Sequence, residues 1–104
     1  MQLGVVDRFA ILNVLPEHGD FTTLKIVREL REQLSFTEEE HARLDFQQTE
    51  DGRTVWRENL EREYDFGKKA EGIIRDALSR ANKQNKLTID HLNVYEMFVG
   101  DDDD

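Results

Sequence analysis

The chain has 104 residues, with 23 acidic against 14 basic side chains and a formal net charge of −9. That length supports one hydrophobic core, so one compact domain over 1–100 is expected, followed by an acidic tail at 101–104 too charged to order itself. The absence of Cys excludes a disulfide scaffold, thiolate zinc sites and cysteine catalysis. No apolar run approaches the roughly 18 residues of a membrane span, and no signal peptide opens the chain, which points to a cytoplasmic protein without a membrane partner.

The first segment, Val5 to Leu15, is apolar except at Asp7, Arg8 and Asn13, and reads as a buried helix closed by Pro16. A loop at 17–20 follows, and Asp20 or Thr22 can cap a second helix over about 22–34. Leu24, Ile26, Val27, Leu30 and Leu34 give that helix its inward face, the 27–30–34 spacing fitting a period of 3.6. The run Ser-Phe-Thr-Glu-Glu-Glu at 35–40 is the clearest local signal. Thr37 and Glu40 form a capping box, Phe36 can staple onto His41 or Ala42, and three glutamates complement the helix dipole. A short helix over 38–45 results.

From Phe46 the period changes. Asp51-Gly52 is a turn of the kind that joins antiparallel strands. Leu60, Arg62, Tyr64 and Phe66 then alternate with Glu61, Glu63 and Asp65, placing three carboxylates on one face and the aromatics on the other. Residues 46–66 are therefore predicted as a hairpin or small meander packed on the helices. Gly67 opens a helix to about 86 with a stripe at Ala70, Ile73, Ile74, Ala77, Leu78 and Ala81. Thr88 leads into a last helix with Leu92, Tyr95, Met97 and Phe98 as its apolar residues. The expected fold class is α+β, mainly helical, with about five helices.

Charge is unevenly placed. Residues 37–66 carry a net −6 and the tail −4, whereas the predicted helix at 67–86 carries +4. The negative whole disfavours direct nucleic-acid binding.

Little in the sequence matches catalytic or metal-binding chemistry. The three histidines fall at 18, 41 and 91 with no metal-ligand spacing beyond the single Glu38…His41 step, and a di-iron bundle needs two such steps plus further glutamates. No glycine-rich phosphate loop and no serine elbow is present, so no cofactor and no catalytic residue is expected. The remaining class is a non-enzymatic interaction protein acting on a protein partner or on itself, as a homodimer or larger assembly. Trp56, the only Trp, is its contact candidate, because neither hairpin face is apolar enough to bury it. The competing reading has Trp56 close the core. A second functional reading makes the acidic block, with Glu61, Glu63 and Asp65, an imitation of a phosphate backbone that inhibits a nucleic-acid-processing protein.

The run ILNVLPEHGDFTTLKIVRELREQLSFTEEE resembles small proteins encoded by bacteriophages and prophages, over about the first 40 residues. The apolar opening, the Gly-Asp-Phe lead into the second helix and the Ser-Phe-Thr-Glu-Glu-Glu cap carry the likeness. It implies no catalytic residues. It implies a setting in which compact acidic proteins act as structural accessories, assembly factors or inhibitors of host machinery.

Overall fold

The computed structural model describes residues 1–100, so the tail at 101–104 lies outside the described residues. The elements in chain order are β1 (Gln2–Leu3), α1 (Val5–Val14), α2 (Phe21–Leu34), α3 (Glu38–Leu44), β2 (Gln47–Gln48), β3 (Thr54–Val55), β4 (Arg62–Glu63), α4 (Lys68–Lys83), a 3-10 turn (Ile89–His91) and α5 (Leu92–Phe98). The fold is α+β and mainly helical, with two small two-stranded antiparallel sheets.

The first three helices start where the sequence supplies a side-chain partner for a free backbone N–H group. Asp7 Oδ2 accepts from the Gly4 N–H at 3.0 Å, and Asp20 Oδ1 accepts from the Thr23 N–H at 2.8 Å. At α3 the predicted capping box is complete: Thr37 Oγ1 accepts from the Glu40 N–H at 3.1 Å, and Glu40 Oε1 accepts from the Thr37 N–H at 2.9 Å. The Phe36 staple also forms, with its ring 6.2 Å from that of His41. At the end of α1, Leu15 leaves the helix at ψ 139°, the extended geometry that a following Pro imposes.

The core joins Leu3, Ile11, Leu30, Leu34, Ile74, Leu78 and Val94, all essentially inaccessible, with smaller residues between them. α4 lies at its centre, touching α1, α2 and α5. Burying each Leu or Ile side chain there contributes about 1.5–3 kcal/mol.

The expected hairpin forms within 46–66, between β2 and β3, which pair Gln47 with Val55 and Gln48 with Thr54. β4 leaves it and pairs with β1, at the other end of the chain, in the register Gln2–Glu63 and Leu3–Arg62. Leu3 is fully buried, and this sheet gains its stability by placing that side chain in the core. At the last helix, Leu92 and Met97 are exposed, whereas Val94 and Phe98, with His91 of the preceding 3-10 turn, are buried at i, i+3, i+7 spacing.

Candidate functional site

The hairpin does not stand free. Phe46 and Trp56, at its two ends, meet the Phe9 ring of α1 at centroid distances of 5.6 and 6.2 Å, and each other at 6.1 Å. Phe36 extends the cluster, 5.0 Å from Phe9 and 5.2 Å from Phe46. His41 presents its ring to Phe46 at 5.5 Å. Tilted and edge-on pairs of this kind contribute about 0.5–1.5 kcal/mol each beyond area burial. The Arg57 N–H donates to the Leu44 carbonyl at 2.9 Å and ties the hairpin to the end of α3.

Beneath the cluster lies Arg8, a charged residue with no solvent exposure. Its guanidinium donates to both oxygens of Glu40, at 2.8 and 3.0 Å, to the Leu34 carbonyl at 3.1 Å and to the Ser35 carbonyl at 2.8 Å. It also lies 3.8 Å from the centre of the Phe36 ring. The buried charge is thus paired, hydrogen-bonded and stacked, the conditions under which burial is tolerated. The Arg8 hydrogen bond, followed by the Thr37 N–H and the charges of Arg8 and Arg62, outweighs burial and lowers the Glu40 carboxyl to about 2. Arg8 fixes α1 against the α2–α3 corner and so sets the position of Phe9.

The other side of Phe9 is open. Val6, Phe9 and Val55 are 37%, 41% and 40% exposed, and Trp56 is half-buried. Together with Arg53, Thr54 and Asp90, they line a cleft of about 550 Å³ between α1 and β3. This size falls within the range of small-molecule clefts, about 300–1,000 Å³. Trp56 thus lies against the rings of Phe9 and Phe46 and also lines the cleft, and it is not among the residues of the main core.

The carboxylates at 61, 63 and 65 are all exposed, as the alternation requires. Glu61 lines a shallow depression together with Glu39, Arg43 and Arg62, and Glu63 is paired with the Met1 ammonium. Arg43 donates to Glu58 at 2.7 Å. Arginines thus interleave the acidic block and dilute its field. None of these three carboxylates lines the cleft that holds Trp56. Among the described residues no three His or carboxylate groups converge on a metal-sized site, and no helix is long and apolar enough to cross a membrane.

Trp56 was the one cleft residue that the sequence singled out. Val6 and Phe9 belong to the segment expected to be a buried helix, and here that expectation is corrected: both are more than a third exposed, because the α1 segment carries more large apolar side chains than one buried face can hold. No protein-family model, curated protein or solved structure matches the chain.

Proposed function

We propose that this chain is a non-enzymatic interaction protein that binds another protein through the cleft between α1 and the β2–β3 hairpin. The carrying observation is the cleft itself: Val6, Phe9 and Val55 stay open to solvent around a half-buried Trp. Apolar groups of this kind, grouped around one concavity and rimmed by Arg53 and Asp90, mark contact surfaces. Trp and its aromatic neighbours are the residues that dominate binding energies once a partner excludes water. The aromatic cluster and the Arg8–Glu40 pair hold the surface rigid before binding, which reduces the ordering cost of association. The likeness of the first 40 residues to phage and prophage proteins supports an accessory or assembly role in the cytoplasm of a host cell. The acidic-mimic alternative draws less support, because Arg43 and Arg62 sit among the carboxylates on which it depends.

The test is affinity capture from native host lysate with the wild-type chain and with Val6→Lys/Val55→Lys. Both positions are exposed, so the double variant keeps its fold. The proposal predicts a partner that survives high salt on the wild type and is absent from the double variant. Equal capture by both overturns it.

A further inference from the structure

Residues 53–56 line the cleft consecutively, and no residue of β2 does. Side chains alternate faces along a strand, so a groove over one face of the hairpin would touch every second residue. A groove lined by the four successive residues Arg53–Trp56, which span β3 and its two flanking positions, and by none of β2, runs along the outer edge of β3. Among the described residues that edge has no neighbouring strand. The register shows which backbone groups it presents. The Thr49 N–H donates to the Arg53 carbonyl at 2.8 Å, which makes Thr49–Arg53 a hydrogen-bonded pair and, by alternation, Gln48–Thr54 a non-hydrogen-bonded one. The Thr54 N–H and C=O therefore point away from β2, into the cleft, with Val6 and Phe9 opposite.

An unpaired edge beside an apolar wall is the geometry of strand addition, in which main-chain hydrogen bonds hold an extended segment and pockets select alternate side chains. Charge decides the occupant. Among the described residues the one cation lining the cleft, Arg53, has the Asp51 carboxylate 3.8 Å away, while Asp90 lines the cleft and Glu50 precedes Asp51 in the hairpin turn. The chain as a whole carries −9, so two copies repel and a basic segment is attracted. We propose that the cleft binds an extended, cationic segment of another protein, which adds as a strand to the edge of β3 through Thr54 and places an apolar side chain against Phe9, Val6 and Trp56. This rests on the reading of the cleft as a protein-binding surface.

The test begins with a random heptapeptide display library panned against the full chain. The expected enrichment is of sequences that alternate bulky apolar residues with Lys or Arg. One enriched peptide is then titrated while the fluorescence of Trp56, the only Trp, is followed. Its Glu-for-Lys analogue should bind at least tenfold more weakly. N-methylation of the peptide amides that face β3 should cost at least tenfold, and methylation of the opposite edge should cost little. Thr54→Pro, which removes an outward N–H at a position where an edge strand tolerates Pro, should lose as much. If that variant unfolds, the N-methylated peptides still decide the question. Binding that ignores both methylation patterns overturns strand addition but leaves the cleft as a protein-binding surface. Enrichment of helical or acidic peptides overturns the assigned occupant, as does a concentration-dependent doubling of mass, which would make the occupant a second copy. Absence of any enrichment together with a captured partner that depends on Val6 and Val55 overturns the extended-segment mode; absence of both overturns the proposed function as well.

Discussion

Replacing Glu40 with Gln keeps shape and the oxygen that accepts from Thr37, but removes the charge that Arg8 faces. Its carboxyl lies at about 2 rather than the ordinary 4.5, chiefly through the Arg8 hydrogen bond. That gap corresponds to about 3 kcal/mol, at about 1.4 kcal/mol per tenfold change in proton activity. The Glu40 side chain is 12% exposed, and solvent screening reduces the figure to roughly 2 kcal/mol. Because folding depresses this carboxyl, its contribution is complete above about pH 4.5 and is lost as the pH falls toward 2. Urea unfolding followed by Trp56 fluorescence should show Glu40→Gln less stable than wild type by roughly 2 kcal/mol at pH 7. The difference should shrink at pH 3, where the wild-type carboxyl has lost most of its advantage. A loss below about 0.5 kcal/mol at pH 7, the level of an ordinary surface change, would refute the buried pair as a stabilising clamp. So would a difference that stays constant between pH 7 and pH 3.

Two further substitutions probe the frame around the cleft. Gly67 precedes α4 at φ 82°, ψ 164°, a region nearly closed to other residues, and no atom lies within 4 Å of an added Cβ. Gly67→Ala should therefore cost about 1–3 kcal/mol through backbone strain alone, and thermal melting that places it within error of wild type would contradict that. Asp20→Ala removes the oxygen that caps α2 and should cost about 1 kcal/mol in denaturant unfolding, with peptide binding in the cleft unchanged.

How much of this was legible in the sequence depended on distance along the chain. The Thr37–Glu40 box and the Phe36 staple involve residues within a few positions, and both form. The turn lies where Asp51-Gly52 marks it but takes in Glu50 as well, the Gly52 N–H donating to the Thr49 carbonyl, and of its residues only Gly52 has positive φ. The second duty of Glu40, as partner of Arg8, links residues 32 apart. Arg8 itself looked like a polar interruption in an apolar helix and proved to be the buried centre of a corner. The β1–β4 pairing was invisible because two-residue strands carry no periodicity and the partners are some 60 residues apart. Trp56 illustrates the same limit: its proximity to a turn was legible, but its neighbour Phe9 is 47 residues away. The exposed half of the cleft could be seen only once α1 and the hairpin were placed against each other.

The central claim is that the apolar cleft, and not the acidic block, is the binding surface. Its most direct test is parallel capture from one native host lysate by the wild-type chain, by Val6→Lys/Val55→Lys and by Glu61→Lys/Glu63→Lys/Asp65→Lys, each confirmed folded by circular dichroism. The account predicts that the cleft variant loses the partner and the acidic-face variant keeps it. A partner retained by the cleft variant and lost by the acidic-face variant would contradict it.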